Sequence, residues 1–228
     1  MINASLLVNA SEDHWLNQFN PKKSLVRGRA YLIVKRIMDL ALVILSLALT
    51  LPVMGLCALM LKLESPHDPV FFVQLRTGKG GRPFRMFKFR SMVTNAEELK
   101  KELAHLNELQ WPDFKITNDP RITRVGRVLR KTSLDELPQL FNILRGEMSL
   151  VGPRPTSFSP GTYRLWHTER LDVPPGLTGV WQITSRGSSE FDDRLRLDIA
   201  YIERRCLSLD IQIIIRTVTA VLEQRGAY

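Results

Sequence analysis

The longest feature of the hydropathy pattern is an uncharged run from Leu40 to Leu61, LALVILSLALTLPVMGLCALML, 22 residues in all. At about 1.5 Å per residue, a helix of that length reaches across the roughly 30 Å hydrocarbon layer of a bilayer, so the pattern predicts a membrane segment. The 39 residues before it, and an apolar stretch longer than a signal-peptide core, speak against a cleaved leader. Lys35 and Arg36 precede the run and Lys62 follows it; Arg76, Lys79, Arg82, Arg85, Lys88 and Arg90 come next with no acid between them. The positive-inside rule then places both ends in the cytoplasm, which one continuous span does not satisfy and a helix broken near mid-depth does. Pro52 marks the break: it removes one backbone donor and collides with the carbonyl of Ala48, while Ser46 and Thr50 stand ready to cap freed groups. A kinked single-pass helix is the alternative that the residues alone leave open.

Beyond the run, Ser65-Pro66-His67-Asp68-Pro69 is a turn signal and Val70 to Gln74 a short strand. Thr77 to Pro83, with three glycines, makes a loop or hairpin turn before Phe84 to Met92 alternates in strand fashion. Asn95 to Leu109, Arg121 or Thr123 to Arg130, and Leu134 to Arg145 carry helical periodicity, and Phe191 to Leu222 predicts two more helices interrupted near Cys206 to Asp210. Residues 1 to 30 show no strong period and are expected to be a loosely held tail or an interfacial segment. The expected architecture is therefore mainly α with short β segments. A membrane-inserted, proline-broken re-entrant helix (31–64) attaches to a compact cytoplasmic catalytic domain (65–228).

Composition narrows the function more than the fold. The 228 residues carry a net charge of +9, which calls for an anionic partner: nucleic acid, anionic lipid or a phosphorylated substrate. With 44% hydrophobic residues the chain is no polar, disordered tail. Cys57 and Cys206 form no disulfide framework, and the four scattered histidines form no zinc site of recognisable spacing.

Arg121, Arg124, Arg127 and Arg130 recur every third residue, with Lys131 adjoining, a basic stripe on a helix that suits phosphate or, failing that, solvent or lipid headgroups. Asp135 and Glu136 follow directly, at the start of the next predicted helix. Acids there commonly act as caps or dipole partners. Side by side on a helix they diverge, so they suit separate roles, one a nucleophile and one a metal or hydrogen-bond ligand, with basic neighbours keeping Asp135 ionised. Arg154, rigidly held between Pro153 and Pro155, suits bidentate phosphate recognition, or is merely exposed on a turn. Lys88 and Arg90 share one strand face.

These segments resemble the bacterial sugar transferases, in particular the small monotopic polyprenyl-phosphate phosphoglycosyl transferases, over residues 30 to 228. The resemblance rests on Lys35-Arg36-Ile37-Met38-Asp39, Lys88-Phe89-Arg90-Ser91-Met92, Asp119 to Arg127, Leu129 to Leu140, Ser149 to Pro155, Pro175 to Gly179, and Trp181-Gln182. It implies transfer of a phosphosugar from a nucleotide diphosphate sugar, usually a UDP-sugar, to a polyprenyl phosphate at the cytoplasmic face of a bacterial inner membrane, with Mg²⁺. It further implies that Asp135 is the nucleophile and releases UMP, that Glu136 serves the metal with Asp135, and that Lys88, Arg90, Arg130 and Arg154 bind substrate. It strengthens the re-entrant reading of Pro52. After Trp181-Gln182 the chain has Ser185-Arg186-Gly187 where such transferases often have Gly-Arg-Asn, so only Arg186 carries a donor role over. A minimal form without further membrane helices, and a homodimer as one oligomeric option, are also expected. The competing class is a membrane-tethered basic nucleic-acid-binding protein, for which no recognisable nucleic-acid module is present.

Overall fold

The uncharged run lies inside one helix, α1 (Gly28–Glu64), of 37 residues. A computed structural model describes residues 14–109, 114–156, 165–184 and 191–223. The backbone stays helical through Pro52, so the break expected there is not a break of the helix. Proline deprives the Ala48 carbonyl of its partner, but the turns around it are tied by side chains: Thr50 Oγ1 donates to Ser46 O at 3.0 Å and Ser46 Oγ to Val43 O at 2.8 Å. Within apolar surroundings an intact helix leaves the fewest backbone groups unpaired.

Seven residues of α1 are buried, Tyr31, Lys35, Asp39 and Val43 before the proline and Met54, Cys57 and Leu61 after it. Their spacing of three and four, apart from the gap between Val43 and Met54, keeps them on one face. In the first half Arg36 donates to the carbonyls of Ile143 and Leu144, and Val43 packs with Phe84, Met86 and Ile143. In the second half Met54, Cys57 and Leu61 pack with Phe89 and Leu129, and Glu64 accepts from Val125 N. Both ends of α1 thus bind the globular part. The uncharged middle is uncovered: none of residues 44–53 is buried, and Leu45 and Leu49 are 75% and 73% exposed. By length and apolarity this helix is fit to insert in a membrane.

The chain then forms an antiparallel hairpin of β1 (Phe71–Thr77) and β2 (Pro83–Phe89), in which Phe72 faces Lys88. Gly80 and Gly81 in its turn have φ of 64° and 75°, the left-handed region glycine enters without a Cβ penalty. α2 (Ala96–Glu102) and a 3-10 turn (Leu103–Leu106) replace the longer helix expected to Leu109. α3 (Arg124–Lys131) starts under a Thr123 cap that accepts from Gly126 N. Gly126 is pressed on the Ser91 backbone so closely that a Cβ would stand 2.1 Å from Ser91 O.

The single helix expected from Leu134 to Arg145 is divided into a 3-10 turn (Leu134–Glu136) and α4 (Gln139–Arg145). Pro138 lacks the donor that a continuous helix would need there. Two three-residue strands, β3 (Ser149–Val151) and β4 (Gly176–Thr178), pair in parallel; elements that short carry no readable period. α5 (Val180–Thr184), α6 (Phe191–Arg204) and α7 (Leu207–Leu222) close the fold, with Cys206 between the last two as expected. Val151, Val180, Leu197, Tyr201, Leu209 and Ile213 make one core cluster, and Leu16 joins it at 2% exposure. That part of the presumed loose tail is therefore built into the core. The mainly helical character with short strands agrees with the pattern.

Candidate active site

Glu136 is the hub of a charged cluster assembled from three elements. Its Oε1 accepts from Lys88 Nζ at 2.8 Å and from Arg154 Nη2 at 2.7 Å. Lys88 reaches it from β2, and Arg154 from the loop after β3. Burial pushes the Glu136 carboxyl up, but Arg154 and Lys88 outweigh burial and hold it well below the usual carboxylate range. Arg154 gains in turn, its guanidinium pushed up chiefly by Glu136.

Asp135 stands beside this cluster and is 9% exposed. Burial raises its carboxyl above the ordinary value; Lys88, Arg130 and Arg154 pull the other way and Glu136 adds to the rise. The basic neighbours expected to keep it ionised do oppose the rise, although desolvation exceeds their pull. The two neighbouring acids titrate in opposite directions, a separation that suits distinct roles.

Local geometry explains the placement. Ser133 takes φ 58°, ψ 15°, a left-handed conformation, and its N–H caps Arg130 O at 3.1 Å. This ends α3 as a glycine would, at a cost of about 1–3 kcal/mol for a residue with a Cβ. The chain is thereby swung into the 3-10 turn that carries both acids. They sit on that turn and not on the first turn of an α-helix, so the helix-dipole role weighed from sequence is withdrawn.

The Arg154 loop is fixed by residues the sequence did not single out. Arg170 donates to Arg154 O and, at 2.7 Å, to Asp198 Oδ2. Burial pushes Asp198 up to about 7 against the opposing pull of Arg170, Arg194 and Arg154. A legible signal existed: Asp198 lies directly among the apolar residues Leu197, Ile199, Ala200 and Tyr201, all of them buried. The Arg154 guanidinium also lies 5.9 Å from the Trp181 ring.

Other expected residues are placed differently. Arg130 is within electrostatic reach of Asp135 and donates to Ser91 Oγ at 2.8 Å, its guanidinium lowered by burial. Arg90 falls one residue beyond β2, is 6% exposed, and pairs with Asp68, so it and Lys88 serve different acids. Its Nε and Nη2 are buried without a hydrogen-bond partner among the described residues. The arginine stripe is not continuous. Arg121 lies before α3 and is buried against Asp119, leaving Arg124 and Arg127 exposed. Arg186 lies outside the described residues.

As to Mg²⁺, no group of three His, Cys, Asp or Glu side chains forms a cation cage among the described residues. Magnesium ordinarily takes one or two carboxylates together with substrate phosphates and water. The adjacent Asp135 and Glu136 fit that donor set in the company of a diphosphate. The Asp135 carboxylate has no hydrogen-bond partner among the described residues, whereas Glu136 Oε1 already faces two cations.

Buried Asp135 and half-buried Glu136, faced by lysine and arginine, thus share one body with a helix long and apolar enough for membrane insertion. The family model of the bacterial sugar transferases matches residues 30–224. The chain is 42% identical over 200 residues to undecaprenyl-phosphate galactose phosphotransferase of Salmonella typhimurium, covering 86% of this chain and 42% of that protein. It is 40% identical over 203 residues to UDP-glucose:undecaprenyl-phosphate glucose-1-phosphate transferase of Caulobacter vibrioides, covering 85% and 72%. With the exopolysaccharide production protein ExoY of Rhizobium meliloti it shares 39% over 199 residues, covering 85% and 88%. The chain belongs to the bacterial sugar transferase family. It spans less than half the length of the Salmonella relative.

Proposed function

We propose that the protein is a phosphoglycosyl transferase that moves a sugar phosphate from a UDP-sugar to a polyprenyl phosphate, as the names of its relatives suggest. In this reading an Asp135 carboxylate oxygen attacks the sugar-bearing phosphorus, the bond to UMP breaks, and UMP leaves as the free phosphate. An oxygen of the lipid phosphate then attacks the same phosphorus, the bond to Asp135 breaks, and the carboxylate is regenerated with the lipid diphosphate sugar. Lys88, Arg130 and Arg154 bring an anion to an anion; the charge would be prohibitive without them. Asp135 and Glu136 would hold Mg²⁺, which supplies charge neutralisation on the diphosphate.

The observation that carries this reading is the divergence of two adjacent carboxylates, Glu136 taking Lys88 and Arg154 on one oxygen, and Asp135 buried beside it with no hydrogen-bond partner among the described residues. The re-entrant topology belongs to the same proposal. It is supported by the contacts that both ends of α1 make with one globular part, and the basic flanks favour the cytoplasmic side. The deciding experiment omits the lipid. Enzyme with Mg²⁺ and its UDP-sugar should release up to one UMP per site and gain the mass of one phosphosugar, and Asp135→Asn should abolish both. Full transfer with lipid, but no UMP without it, would replace the covalent route by direct attack.

A further inference from the structure

Strand β1 carries apolar side chains on both faces. Phe71, Phe72 and Val73 are 46%, 42% and 46% exposed, and Leu75 is 65% exposed. An edge strand facing water is ordinarily blunted by charge or alternates with polar residues. Phe71, Val73 and Leu75 share one face. Phe71 stacks on Phe89 with ring centroids 5.4 Å apart, and Phe89 packs on Met54, Cys57 and Leu61 of α1. That face therefore continues the apolar surface of the membrane helix.

The other face leads to the acid cluster. Phe72 is the cross-strand partner of Lys88, and directly opposed residues of an antiparallel pair project to the same side with Cβ atoms about 4.5–5.5 Å apart. Lys88 reaches Glu136 from that side. Further along it, Arg76 lies against Gln74 and the Pro155 carbonyl, beside the Arg154 loop. An exposed aromatic ring thus stands one strand spacing from a cation of the site, on the strand whose reverse face joins the membrane helix.

We infer that β1 is the acceptor's access edge, with Phe72 packing on the isoprenoid units next to the lipid phosphate while Lys88 faces that phosphate. The inference rests on the phosphotransfer reading and adds where the lipid lies. A polyprenyl phosphate joins its anion directly to hydrocarbon, so its site must offer a cation and an apolar surface within a few ångströms. The Phe72–Lys88 pair meets that demand. Phe71, Val73 and Leu75 provide the apolar continuity through which the rest of the chain returns to the bilayer.

The test uses the full chain in detergent with a UDP-sugar donor and polyprenyl phosphate, following both substrates' KM values. Phe72→Ser should raise the acceptor KM about tenfold or more, the loss expected for uncovering one aromatic contact. Donor KM and lipid-free UMP release should stay at wild-type values, and Phe72→Leu should recover most of the affinity. An unchanged acceptor KM in both variants overturns the inference, as does a raised donor KM with normal acceptor KM, which would make Phe72 a nucleobase platform. A deficit that exists in vesicles and vanishes in detergent also overturns it, since Phe72 would then be a bilayer anchor. If Phe72→Ser loses UMP release through misfolding, the acceptor KM of Phe72→Leu and Phe72→Tyr decides. Failure of the phosphotransfer reading would be seen separately, as absence of transfer by the wild type.

Discussion

Asp39 of α1 accepts a hydrogen bond from Ser149 Oγ at 2.6 Å, across 110 residues of chain. Lys35 lies 4.0 Å from Asp39 and 3.3 Å from Asp210, and Asp210 also accepts from Tyr31 and Tyr201 at 2.9 Å and 2.6 Å. The first half of α1 is therefore held by a buried network in which Lys35 stands between two carboxylates. β3, where Ser149 lies, leads three residues after its end to Arg154, so this anchor joins α1 to the site.

Asp39→Ala should leave Lys35 with one acid and Ser149 unpaired. Removing one member of such a buried group costs about 3–5 kcal/mol. Thermal unfolding in detergent should show a drop of several degrees or more. An unchanged midpoint would mean that apolar packing alone holds the helix.

Asp135→Asn should lower transfer by at least about a thousandfold, with unfolding unchanged, because the amide is nearly isosteric but a poor nucleophile. Glu136→Gln should be severely impaired too, since Lys88 and Arg154 would face each other without the carboxylate between them. A substantial residual rate in Asp135→Asn would remove it from the nucleophile role.

The pH profile should have one acid limb. Asp135 works as the carboxylate, and its raised value means that activity falls as pH drops through a point above the ordinary 3.8. Glu136 is held low and stays ionised throughout that range. Lys88→Met removes a cation that opposes the rise, so the limb of the residual kcat/KM should move to higher pH. A limb that stays put would separate it from Asp135.

Arg170→Met should free the Arg154 carbonyl and lower the transfer rate by tens of fold, with buried Asp198 deprived of its ion-pair partner at 2.7 Å. Asp198 also gives stability a sign. Its folded value of about 7 exceeds the ordinary 3.8, so between the two the folded state holds a proton that the unfolded state has lost. Its contribution is therefore full at low pH and declines as pH rises from about 4 to about 7. Asp198→Asn should flatten the unfolding midpoint over that window.

Topology is open to impermeant thiol labelling. Native Cys57 and Cys206 are buried, so cysteines placed at Ser24 and Ser65 report cleanly. Both should be protected in intact cells, and labelling of one alone would establish a spanning helix. Pro52→Ala restores a backbone donor and should shift some molecules to the spanning form.

The sequence by itself determined the long apolar helix, the two strands flanking a glycine-rich connection and the two last helices, because 22 uncharged residues, three closely spaced glycines and long helical periods are local signals. Asp135, Glu136, Lys88 and Arg154 were legible from residue type and spacing, since phosphate chemistry limits which side chains serve. Only the tertiary structure decided how they meet. Glu136 takes both cations on one oxygen, Arg90 turns to Asp68, and Arg121 is taken by Asp119. Pairing of this kind depends on distances between residues tens of positions apart, which no period encodes. The same holds for Pro52. A proline's local effect reads as a break, yet the helix continues because packing of Val43 on one side and Met54 on the other stabilises both halves against the same body. Burial, finally, is a property of the folded surface, and it is burial that drives Asp135 up despite its basic neighbours.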